Sequence, residues 1–101
     1  EEDIPLTRIA SVLSEKTAEM FGIEGRGVLK EGYYADLVVV DMDSFQTVSS
    51  KDPDCKCGWS PYEGERLKGR ITDVFVNGHH VIGNSEFISE IPCGQKLIFG
   101  K

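Results

Sequence analysis

The sequence predicts a mainly β fold led by two short N-terminal helices. Three observations carry this reading. Apolar residues recur at near-helical spacing in residues 1–24, a β-branched run fills Leu37-Val38-Val39-Val40, and Asn77-Gly78 separates two strand-like runs.

The first helix rests on Ile4, Leu6, Ile9, Ala10, Val12 and Leu13, with Pro5 suited to an opening turn where its missing N–H has no partner. Ser14 reads as the N-cap of a second helix, Glu15 to about Phe21, in which Ala18 and Phe21 share a face. Gly22 supplies the left-handed position that ends it. Gly25, Gly27 and Gly32 then break any helical pattern. Leu37 to Val40 predicts a short strand buried on both faces. Asp41-Met42-Asp43-Ser44 reads as a turn and Phe45 to Val48 as a further strand.

Ser49 to Glu65, rich in Ser, Asp, Pro and Gly, predicts a long ordered loop in which Trp59 and Tyr62 pack against something. Ile71 to Val76 and His79 to Ile82 form a hairpin about Asn77-Gly78, which tolerates positive φ at both residues, and Gly83-Asn84 ends it. Leu97-Ile98-Phe99 offers a last strand. A hairpin alone is marginal in water and a sheet needs a partner layer, so these elements suit a piece of a larger protein.

Composition narrows the function classes. The chain has 101 residues, 40% apolar and 28% charged, which is ordinary for a globular protein. Eleven basic against seventeen acidic residues give a net charge of −6, and no basic patch is present to meet nucleic acid. The longest apolar run, Leu37 to Val40, is far short of the roughly 20 residues a membrane helix needs. No basic stretch followed by an apolar one suggests a signal peptide. Three cysteines do not make a disulfide scaffold, so a reducing cytoplasm is the expected setting.

Candidate chemistry is sparse. Cys55-Lys56-Cys57 is one residue short of the usual zinc spacing, although Cys93 and a His would complete four ligands. Loop or core cysteines are the simpler reading. His79 and His80 are adjacent on a strand and so face opposite sides, which keeps them from converging on one metal. Gly25-Arg26-Gly27 precedes a strand, the wrong context for cradling phosphate. Glu63 and Glu65 could pair as acid and base, but among seventeen acids such proximity is expected by chance. No catalytic, cofactor-binding or metal-binding set is expected within the chain.

One ordered set of motifs resembles a known family. Ser14 to Ile23 resembles the Ser-x-Asn-Pro-Ala-x-x-Phe-Gly-Leu helix near the end of cyclic amidohydrolases, with Lys16-Thr17 in place of Asn-Pro. Gly27 to Asp41 is similar to the family's Gly-x-Ile-x-x-Gly-x-x-Ala-Asp-Leu-Val-x-x-Asp. Ser60-Pro61-Tyr62-Glu63-Gly64 is similar to its Ser-Pro-Phe-Glu-Gly, and Ile71 to Gly78 followed by Val81 to its closing hairpin. Cys57 to Gly64 looks most like dihydroorotases, then hydantoinases and allantoinases.

The resemblance implies a C-terminal segment of a zinc-dependent (β/α)₈ hydrolase. Residues 1–24 would be terminal helices packing on the missing barrel, and 25–101 part of a small composite β-sandwich completed by strands from the parent's N-terminus. The family's metal ligands (His-x-His, a carboxylated Lys, two His and an Asp) precede this segment, so no role transfers to any residue here. The parent would interconvert dihydroorotate and N-carbamoyl-aspartate in pyrimidine biosynthesis, with zinc in the barrel. A homodimer interface is a further implied partner. Two other readings stay open: a self-standing β-rich binding or assembly module, and a small metal-binding domain built on Cys55, Cys57 and Cys93.

Overall fold

The computed structural model describes residues 3–51, 56–89 and 91–100. The chain runs through α1 (Leu6–Ala10), a π-helical turn (Ser11–Glu15), α2 (Lys16–Phe21), then β1 (Leu37–Thr47), β2 (Arg66–Val76), β3 (His79–Gly83) and β4 (Glu86–Phe87). The strands form one antiparallel sheet in the order β1-β2-β3-β4. No second sheet faces it among the described residues.

The two expected helices are one continuous rod. Ser11, Glu15 and Lys16 all keep right-handed helical dihedrals, so the chain does not break at Ser14. Ser14 is therefore not an N-cap. The discontinuity is a π turn, where each ring gains one residue. The Thr17 hydroxyl follows that wider ring and donates to the Val12 carbonyl, five residues back, at 2.9 Å. The rod ends in a Schellman motif. The Ile23 amide bonds the Ala18 carbonyl at 2.9 Å and the Gly22 amide bonds Glu19 at 3.2 Å, with Gly22 left-handed at φ 67°.

β1 is a single strand of eleven residues, not two strands parted by a turn. The local turn chemistry is present: the Asp41 carboxylate accepts the Asp43 amide at 3.0 Å and the Ser44 hydroxyl at 2.7 Å. It is absorbed as a bulge, because pairing with β2 resumes at Phe45↔Lys68 after leaving off at Asp41↔Arg70. β2 starts at Arg66, five residues earlier than the hydrophobic run from Ile71 suggests.

The Asn77-Gly78 hairpin forms as expected, with φ of 50° and 82°. A second tight turn, Asn84-Ser85, leads into β4. Ser85 holds a left-handed backbone because β2 grips it. Its amide donates to Thr72 O at 2.9 Å, its hydroxyl donates to Ile71 O at 2.8 Å, and Arg70 Nε donates to that hydroxyl at 2.9 Å. The expected strand at Leu97 to Phe99 is reduced to an isolated antiparallel bridge, Ile23↔Phe99.

The core is almost absent. Ala18, 8% exposed, is the sole buried hydrophobic residue among those described. Val38, Val39 and Val40 are 58%, 46% and 44% exposed, so the strand expected to be buried on both faces is open. Trp59 and Tyr62 likewise lie largely exposed. The helical rod makes no packed interface with any strand. It is joined to the sheet through the loop after Gly22 and through the C-terminal residues.

Candidate functional site

Two side-chain clusters stand out. The first centres on Arg26, whose side chain is 11% exposed. Its guanidinium Nη1 donates to Asp36 and, at 2.8 Å, to the Asn77 side-chain carbonyl, while its plane lies 4.1 Å from the Tyr34 ring centroid. Asp36 also accepts the Asn77 amide at 2.8 Å, and Gly78 N–H donates to Ala35 O at 3.0 Å. Asn77 Nδ2 donates to the Cys93 carbonyl at 2.6 Å. Arg26 Nε is buried with no partner in the structure. The cluster pins the loop after the helix, the start of β1, the hairpin turn and the C-terminal residues together. Sequence reasoning missed it. Asn77 is legible as a turn residue and Asp36 as part of a family-like motif, but Arg26 and Asn77 are 51 residues apart and nothing local says that they meet.

The second cluster lies across β2 and β3. His80 Nε2 and Asp73 Oδ1 are 2.9 Å apart, and Thr72 Oγ1 donates to Asp73 Oδ2 at 2.8 Å. His80 stacks on Phe75, with centroids 4.4 Å apart and planes 9° from parallel. The Thr72 hydroxyl, and then His80, hold the Asp73 carboxyl below the ordinary carboxylate value, outweighing the opposite effect of burial. Both Asp73 oxygens are thus committed, one to Thr72 and one to His80.

The other candidates scatter. His79 is exposed and does not join His80. The Cys57 thiol lies 3.3 Å from the Trp59 carbonyl, and Cys93 is half-buried. Cys55 lies outside the described residues. The Glu63 carboxylate accepts the Ser50 amide, and the Glu65 carbonyl accepts the Val48 amide. Gly27 packs against the helix instead of lining a ligand site. Zinc is the metal the resemblance implies. Among the described residues no three His, Cys, Asp or Glu side chains come together to hold a metal ion. The described donors therefore do not fit a zinc site. No helix among the described residues is long and apolar enough to cross a membrane.

The described residues thus form one layer of sheet and a helical rod, with one polar cluster joining loops and the other lying across β2 and β3. The sequence model of the amidohydrolase family matches residues 1–81, and the chain belongs to that family. It is 33% identical to a dihydroorotase of Pyrococcus furiosus over 95 residues, covering 94% of this chain and 22% of the relative. It is 31% identical to an allantoinase of Desulfitobacterium hafniense over 93 residues, covering 92% of this chain and 20% of that one. Among solved structures, a D-hydantoinase (dihydropyrimidinase) from Thermus sp. superposes with a TM-score of 0.78 at 30% identity, covering 85% of this chain and 19% of its own. An L-hydantoinase (dihydropyrimidinase) from Arthrobacter aurescens does so with 0.78 at 30%, covering 86% and 20%. The chain thus spans about a fifth of the length of the relatives it matches.

Proposed function

We propose that the chain is the non-catalytic C-terminal part of a cyclic amidohydrolase of dihydroorotase type. The parent would reversibly hydrolyse the cyclic amide of dihydroorotate to N-carbamoyl-aspartate, in the cytoplasm, as a step of pyrimidine biosynthesis. Its zinc and catalytic side chains would sit on a (β/α)₈ barrel outside residues 1–101. Residues 1–24 would pack on that barrel. Residues 25–101 would complete a small β-sandwich with N-terminal strands of the parent, and a homodimer contact would add a further partner.

The observation that carries this reading is the missing core. A sequence that is 40% apolar leaves Ile4, Leu6, Leu13 and Phe21 on the helix and Val38 to Val40 on the sheet largely in water. Such surface tends to be covered in a working protein. The radius of gyration, 15.8 Å, also exceeds the ~13 Å of a compact domain of this size.

A hydantoinase- or allantoinase-type parent is the second reading, favoured by the allantoinase relative and the hydantoinase superpositions. The ring-reading residues would lie upstream in either case. Sequencing the coding DNA upstream of Glu1 tests the proposal. An open frame carrying His-x-His, a lone Lys, two His and an Asp in that order supports it. A start codon at or just before Glu1 overturns it.

A further inference from the structure

The helical rod and the sheet share no packed interface, so what fixes one to the other is a question the backbone answers. The C-terminal residues run back across the end of the helix. Glu24 N–H donates to Ile98 O at 2.8 Å and Gly100 N–H donates to Gly22 O at 2.7 Å, on either side of the Ile23↔Phe99 bridge. Gly22 and Gly100 approach so closely that a Cβ on Gly22 would land on the Gly100 carbonyl oxygen. The same segment is held at its other end by Asn77 Nδ2 on the Cys93 carbonyl, at 2.6 Å. One end is thus tied to the helix terminus and the other to the β2–β3 turn.

We infer that residues 93–100 form a releasable clasp that sets the position of the helical rod relative to the sheet. The clasp holds by a few backbone hydrogen bonds. Leu97, Ile98 and Phe99 remain largely exposed and add little burial to it. A segment with few buried contacts and exposed backbone bonds opens at low free energy, ahead of the sheet. Opening it frees Gly22–Glu24 and leaves the Arg26 cluster as the remaining link between the rod and the hairpin. The inference concerns the chain's own backbone and stands apart from the proposed activity.

Amide hydrogen exchange on the full-length polypeptide tests it, comparing wild type with Gly100→Pro, which deletes the Gly100 donor and sets a Cβ against the movable Glu24 side chain, and with a chain ending at Pro92, which removes the strand without adding any atom. A Gly94→Ala variant is the control, since the added Cβ would face open space and the backbone N–H is kept. The expected result is a Glu24 amide that exchanges about five-fold faster or more in Gly100→Pro and in the shortened chain, the loss of one net hydrogen bond. In Gly100→Pro the Gly78 amide, bonded to Ala35, keeps its wild-type rate, and Gly94→Ala changes neither amide. A Glu24 rate that stays at the wild-type value in either variant, or a Gly78 rate that rises equally in Gly100→Pro, overturns the clasp.

Discussion

The Ser14 hydroxyl donates a 2.8 Å hydrogen bond to the carbonyl of Gly27, thirteen residues on, and draws that glycine against the one buried side chain on the helix. A Cβ on Gly27 would stand 2.7 Å from the Ala18 Cβ, and the glycine sits at φ 101°. Steric overlap and the left-handed backbone therefore act in the same direction. Gly27→Ala should destabilise the full-length polypeptide by about 1–3 kcal/mol, against about 0.5–1 kcal/mol for Ser14→Ala. Urea unfolding midpoints at constant slope check both, and a Gly27→Ala effect no larger than that of Ser14→Ala would contradict the close packing.

Asp36 is the second anchor, accepting from Arg26 and from the Asn77 amide. Asp36→Ala strands a mostly buried guanidinium and frees the hairpin turn. The carboxylate itself is partly exposed, so solvent screening limits the loss to about 1–3 kcal/mol. Denaturant unfolding of the variant reads this directly. Arg26→Lys should also destabilise, since the shorter-reaching ammonium lacks the flat guanidinium that lies over the Tyr34 ring while its Nη1 reaches Asp36 and Asn77.

At Ser85 two effects oppose each other. Glycine would relieve the positive φ of 64° by about 1 kcal/mol, but it would also remove the hydroxyl that donates to Ile71 O and accepts from Arg70, each bond contributing about 1 kcal/mol. The bonds win, so Ser85→Gly should destabilise by about 1 kcal/mol. A thermal midpoint that rises instead would show that backbone strain dominates.

Asp73 sets a pH window. The Thr72 hydroxyl first, and His80 second, lower its carboxyl below the usual 3.8. A carboxylate with a depressed folded value contributes stability that is present above its unfolded value, about 3.9, and is lost as pH falls through the folded one. The effect is therefore confined to pH below about 4. A carbon-13 NMR titration of the Asp73 carboxyl should show its midpoint rising in Thr72→Val, and an unmoved midpoint would show that the hydroxyl does not stabilise the charged form.

Where one local signal decided the conformation, the sequence was readable. Asn77-Gly78 and Gly22 are such positions, because positive φ has few solutions. Ser14 misled because its hydroxyl serves a tertiary bond, not a helix cap. Asp41 to Ser44 carry genuine turn bonding, yet the register to β2 keeps the strand whole. β4 is two residues long and follows a turn without glycine, so neither period nor composition marks it. The Arg26–Asp36–Asn77 cluster depends on partners brought together only by the fold.

In the proposed parent, catalysis resides outside residues 1–101. Dihydroorotate hydrolysis by the purified 101-residue chain, supplied with zinc, tests it most directly. The rate should equal that of the zinc-only blank, while turnover that co-purifies with the chain and scales with its concentration would place catalysis within these residues.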